Sequence, residues 1–152
     1  MTNNNSHANE LTLETSAELG RPVYVAINRG TSMKILDKGG QVEEITFDGN
    51  GTINGVEFTE QGSFFALIKP DGSIHSHGSV AIMTAEGDSA TYTYQTLGMV
   101  RSDGKLVEHG CAFVSTMSKG KLASLDKVML ILRTEIDQQA GTGRTWGWDW
   151  KG

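Results

Sequence analysis

Between Gly62 and Met117 the chain carries four apolar-rich runs, Ser63–Lys69, Ser73–Thr84, Ser89–Arg101 and Lys105–Thr116. Only Pro70-Asp71-Gly72, Ala85-Glu86-Gly87-Asp88 and Ser102-Asp103-Gly104 separate them. Links this short and rich in turn residues join antiparallel neighbours, whereas a parallel crossover needs a dozen residues or more, so the stretch reads as a four-strand meander. A type I turn followed by a bulged glycine fits each link and pairs Lys69 with Ser73, Thr84 with Asp88 and Arg101 with Lys105. In that register the even-numbered residues share one face, with Phe64, Ala66, Ile74, Val80, Ile82, Tyr92, Tyr94 and Val114 among them. The odd face mixes Phe65, Leu97, Met99, Cys111 and Phe113 with His75, His77, Thr93, Gln95 and His109. The even face is expected to be the interior, and a one-residue slip in any turn would reverse that.

The rest of the composition agrees with an all-β chain. Nineteen glycines against two prolines suit many turns better than long helices, where each glycine costs about 1 kcal/mol. Residues 11–152 are expected to form one domain, and the Asn-rich residues 1–10 a flexible tail. Residues 11–19 are left open between an edge strand and a short helix. A formal net charge of -5 with no Lys/Arg cluster argues against a nucleic-acid partner. The longest apolar run, Val128–Leu132, is far short of the roughly 20 residues a membrane helix needs, so no membrane association is expected. A lone cysteine and an N-terminus without basic and apolar signal regions point to the cytoplasm.

Before the meander, Val23–Ile27 reads as a strand ending at Asn28-Arg29-Gly30. Thr31–Leu36 and Gln41–Asp48 flank a hairpin turn at Asp37-Lys38-Gly39-Gly40. Asp48-Gly49-Asn50-Gly51 then looks like a break before Thr52–Glu60, and these strands look like rim elements. After the meander, Leu122 and Leu125 sit three apart in a linker too long for a hairpin, which suggests a short helical turn near 118–126 laid over one end of the sheet. Val128–Asp137 and Arg144–Lys151 are the last strands. About eight twisted antiparallel strands lose their exposed edges by closing, so a closed antiparallel β-barrel is expected.

Several residues of this arrangement could carry chemistry. Glu108 is the one acid on the even face of the meander strands, beside Gly98 and Ile74, with Ser76, Thr96 and Tyr94 within a diagonal step or two. A carboxyl among apolar walls has a raised pKa and can exchange protons or stabilise developing positive charge. Glu108 and Tyr94 are therefore the candidate catalytic residues, and Phe64, Ser76, Tyr92 and Thr96 candidate ligand contacts. The competing reading leaves Glu108 at the barrel mouth, solvated or paired with a lysine. The Trp146, Trp148, Trp150 stripe is expected to be core or barrel-closing structure, with Trp146 and Trp148 as an aromatic ligand platform in the functional alternative.

His75, His77 and His109 form a secondary metal candidate. Leu97 lies between His75 and His109, setting their strands about 9–10 Å apart, too far for one ion at about 2.0–2.1 Å from each nitrogen. No metal is expected. Cys111 is expected to pack rather than react. Nothing matches a Gly-x-Ser-x-Gly elbow or a glycine-rich phosphate loop before a helix, so no cofactor is expected either.

The segment Ser118-Lys-Gly-Lys-Leu-Ala-Ser-Leu-Asp126 and the ending Trp148-Asp-Trp150-Lys151 resemble a set of small bacterial and archaeal proteins. Those proteins carry a "Ser…Lys-Leu-Ala…Leu" segment and a "Trp-Glu-Trp-Lys" ending, and they look like relatives of a domain-of-unknown-function family with an allene-oxide-cyclase-like barrel. The resemblance covers roughly Gly62 to Lys151, with Asp149 in place of the glutamate. It implies a barrel that holds a hydrophobic small molecule, some relatives of the fold being cyclases or isomerases, and it transfers no catalytic residue. The chain is thus expected to bind a hydrophobic small molecule internally and to form a homo-oligomer. A barrel packed solid, serving as a non-enzymatic oligomeric module, is the alternative. In either case the odd-face patch of Leu97, Met99 and Phe113 is the candidate subunit contact.

Overall fold

A computed structural model describes residues 19–150. The expected tail, the choice between strand and helix for residues 11–18, and Lys151 lie outside them. Eight strands follow one another around a closed barrel: β1 (Tyr24–Ile35), β2 (Val42–Ile53), β3 (Val56–Ile68), β4 (Ile74–Met83), β5 (Ser89–Val100), β6 (Lys105–Ser115), β7 (Met129–Asp137) and β8 (Thr142–Asp149). Every neighbouring pair is antiparallel, and β8 returns to β1 by pairing Thr142–Gly147 with Arg29–Tyr24.

The meander register is the one its turns dictate. Lys69, Thr84 and Arg101 each accept a bond from the glycine three residues on and donate to Ser73, Asp88 and Lys105 respectively. Gly72, Gly87 and Gly104 take the positive φ of the bulge. Even residues accordingly point inward, and Ala66, Ile74, Ser76, Val80, Ile82, Tyr92, Thr96, Leu106, Glu108 and Val114 are all buried.

The N-terminal half departs from the sequence expectation. Asn28-Arg29-Gly30 does not end a strand; β1 continues to Ile35, with a register shift between Gly30 and Ser32. Asp48-Gly49-Asn50-Gly51 does not break the chain but lies inside β2. There the glycines serve close packing: a Cβ on Gly49 would stand 2.5 Å from the Ile27 carbonyl. The true turn is Asn54-Gly55, both at positive φ, as a two-residue hairpin of opposed twist requires. β3 then runs through Gly62, which is a strand residue and not a boundary.

The two ends of the barrel differ. At one end Tyr24, Ile53, Phe58, Val80, Ile82, Val114 and Leu130 pack into a continuous core. The turn at Ala123–Leu125 lowers Leu122 and Leu125 onto it as a plug, as their spacing suggests. At the other end a smaller cluster of Ala66, Ile74 and Leu106, joined by Phe64, Ile68 and Ile136, lines the walls without filling the middle.

The tryptophans are not in that interior. Thr145 is the buried residue of its strand pair, and Trp146 lies on the opposite face beside Val25 and Arg133, with the Arg144 guanidinium 5.9 Å from its ring. Trp148 donates its indole N–H to the Gly20 carbonyl at 3.1 Å, and Trp150 is half exposed. Inward positions of β8 hold Gly143, Thr145 and Gly147; a Cβ on Gly147 would press on Tyr24 and Leu132, and one on Gly143 would stand 2.7 Å from the Asn28 side-chain oxygen. The tryptophans therefore do not form the core, and Trp146 and Trp148 do not line the cavity as a ligand platform; Trp146 and Trp148 lie on β8, the strand that closes the barrel against β1.

Candidate functional site

The unfilled end is a cavity of about 560 Å3, open at the end where the β1–β2, β3–β4, β5–β6 and β7–β8 turns lie. Its size and one-ended shape suit a small organic molecule. Phe64, Ser76, Tyr92, Tyr94, Thr96 and Glu108 all line it. The register explains the convergence: Ile74 pairs with Gly98 and Gly98 with Glu108, while Ser76 pairs with Thr96. All five side-chain positions face inward on three adjacent strands. Gly98 is what makes room, since a Cβ there would come to 2.6 Å of the Glu108 Cγ.

Glu108 is only 4% exposed. Thr96 donates its hydroxyl to Glu108 Oε2 at 2.5 Å. Burial pushes the Glu108 carboxyl above its ordinary range, against the opposing pull of the Thr96 and Ser76 hydroxyls. Ser76 lies close enough to exert that pull, yet its buried Oγ has no partner at hydrogen-bond geometry. Among the described residues the ion pairs are Arg101–Asp103, Lys121–Glu86 and Arg133–Glu135, none of them involving Glu108. Among the described residues Glu108 is therefore buried and meets no lysine, unlike the solvated or lysine-paired alternative. Thr134 pairs with Glu108 across β6 and β7, and its hydroxyl lies 3.0 Å from that of Thr145, so a polar belt crosses the cavity at this depth.

Below the belt the floor is aromatic. Tyr94 stacks obliquely between Phe64 at 6.4 Å and Tyr92 at 6.0 Å, and Phe64 meets Phe47 at 6.0 Å. Burial, reinforced by the negative charges of Glu108 and Glu60, raises the Tyr94 phenol, so it remains a neutral donor. Tyr92 reaches a second acid that the sequence reading missed. Glu60, 2% exposed, accepts a 2.5 Å bond from the Tyr24 hydroxyl, which lies 2.8 Å from the Tyr92 hydroxyl. Burial raises Glu60 as well, against hydrogen bonding by Tyr24, Asn28 and Tyr92. Its Oε1 is buried without a partner. Carrying the even parity back through Gly62 to Glu60 and Phe58 would have found it; treating Gly62 as a boundary hid it.

On the same strands as Ser76 and Glu108, His75, His77 and His109 point to the outer face. His75 and His109 stand on either side of Leu97, and no group of three potential metal ligands occurs among the described residues. The metal alternative has no site there. Leu97, Met99 and Phe113 are each about half exposed on that outer face.

Fold and cavity together define the chain as a closed eight-stranded antiparallel barrel with an open, acid-bearing pocket at one end. Solved proteins that share the fold include two of unknown function. The chain matches a conserved protein from Rhodopseudomonas palustris with a TM-score of 0.69 at 13% identity, over 85% of this chain and 94% of that one. It matches a protein from Clostridium acetobutylicum ATCC 824 with a TM-score of 0.69 at 10% identity, over 85% and 96%. At such identities the likeness is one of fold. Neither a protein-family model nor a curated protein matches the sequence.

Proposed function

We propose that this chain binds an apolar small molecule inside the open end of its barrel and acts on it as a cofactor-independent isomerase or cyclase of the allene-oxide-cyclase-like kind. The observation that carries the reading is a buried, cation-free acid in an open apolar cavity. A protein gains no stability from Glu108 in that position, because desolvating an acid costs more than one hydroxyl returns. A group kept at such cost and with its pKa raised by burial is suited to proton transfer.

In this reading Glu108 exchanges the proton or stabilises positive charge developing on the bound molecule. The neutral phenols of Tyr92 and Tyr94 form the floor and donate hydrogen bonds, Phe64 supplies a wall, and Ser76 and Thr96 orient the polar end. The cytoplasm is the proposed location. Self-association through Leu97, Met99 and Phe113 is a separate proposal, supported by their shared exposure on one face. Native mass spectrometry of the purified protein tests the binding reading. A co-purified mass lost on Glu108→Gln or on blocking the cavity with Gly98→Val is expected; a mass that persists in both variants would place the molecule elsewhere.

A further inference from the structure

The charges around the cavity are all of one sign. Glu108 stands at mid-depth, Glu43 near the mouth, and Glu60 directly beneath the Tyr92 floor. Among the described residues the lining contains no lysine, arginine or histidine. Ser76 adds a buried hydroxyl on the wall that no protein group satisfies. Among the described residues Glu108 thus has one hydroxyl at hydrogen-bond geometry, that of Thr96, and no counter-ion, and it lines the vacant volume. Among the described residues a carboxylate ligand would meet no cation in the lining to receive its charge. A cationic head would provide the opposite charge that the fold omits, and the apolar walls of Ile68, Ile74, Leu106 and Ile136 would cover its tail.

We infer that the cavity selects an apolar molecule with a single basic amine, held as an ammonium ion by Glu108 and Ser76, and that it rejects fatty acids and other apolar carboxylates. This inference rests on the proposed binding role and narrows its ligand class. The Ser76 hydroxyl accepts from the ammonium, Thr96 continues to donate to Oε2, and Glu108 gives up its own proton to solvent as the cation enters. Binding of the amine is therefore accompanied by proton release wherever free Glu108 is protonated, and binding of a neutral analogue is not.

Titration calorimetry with octylamine, octanol and octanoate, in two buffers of different ionisation enthalpy, tests this at neutral pH. The amine is expected to bind about tenfold or more tighter than the alcohol, as a charge-assisted pair replaces a neutral one. Its heat, and not the alcohol's, should depend on the buffer. Glu108→Gln should abolish the preference of amine over alcohol, with circular dichroism showing that the variant is folded. Octanoate binding as tightly as octylamine, or an amine preference that survives in Glu108→Gln, would overturn the inference. If the alcohol binds but the amine is no better, the binding role stands and only the amine class falls. If none of the three binds, both fall.

Discussion

Replacing Glu108 with glutamine should reverse part of an unusual pH dependence of stability. Glu108 and Glu60 both have native pKa values raised above the ordinary 4.5, chiefly by burial. Between the ordinary and the raised value the native state holds a proton that the unfolded chain has lost. Stability from these groups is therefore complete below the ordinary value and falls as pH rises through the native pKa, the opposite of the usual carboxylate. Within that window each carboxyl contributes a slope of at most about 1.4 kcal/mol per pH unit, or about 2.7 for the two together. Glutamine keeps the shape and the acceptor for Thr96, so Glu108→Gln should leave stability within about 1 kcal/mol of wild type where the acid is protonated. It should then lose about half of the downward slope. For a chain of this size that half amounts to about 3–6 °C in Tm per pH unit. Asp71 and Asp103, held low by bonds from Ser73 and from the Lys105 backbone, act in the opposite sense but below this window. Urea unfolding from about pH 5 to about pH 8 reads the difference. Identical slopes for wild type and variant would show that Glu108 is not buried as a protonated acid, and the reasoning about the site would fail with it.

Tyr92→Phe removes the hydroxyl that lies 2.8 Å from the Tyr24 hydroxyl and should cost about 1–2 kcal/mol in urea unfolding, with the barrel intact by circular dichroism. Leu122→Ala opens a void under the plug at the closed end, far from the cavity, and should cost about 2–5 kcal/mol without changing ligand affinity. Gly98→Ala places a methyl 2.6 Å from the Glu108 Cγ and 2.7 Å from the Val107 carbonyl; a cost of about 1–3 kcal/mol is expected, with ligand binding weakened by displacement of the acid. Gly55→Ala forces a side chain into positive φ in the β2–β3 turn and should cost about 1–2 kcal/mol, seen as a lower Tm and no change at the site.

Short-range chemistry makes much of this protein legible in its sequence. Three links that each combine a turn with an αL glycine set the register of β3 to β6, and the two-residue period of a strand then carried Ser76, Thr96 and Glu108 to one face. Leu122 and Leu125 announced the plug by their spacing. The same local logic failed where a glycine served the sheet rather than a turn. Gly49, Gly51 and Gly62 are required by carbonyls and rings on neighbouring strands, and nothing adjacent in sequence reveals a neighbour fixed only on closure.

What closure decided was which space remained empty. Trp146, Trp148 and Trp150 alternate as a core strand would, yet the parity of β8 is imposed by its partners, and Thr145 is the residue turned inward. Glu60 became a second buried acid only when β3 continued through Gly62 and β1 brought Tyr24 across to it. The sequence by itself determined the strands of the meander, their turns and their inward face, because those follow from steric rules acting over a few residues. The tertiary structure alone decided that one end is plugged and the other open, since that depends on the volumes of side chains drawn from all eight strands. It also left Glu108 facing a cavity with no cation to meet it.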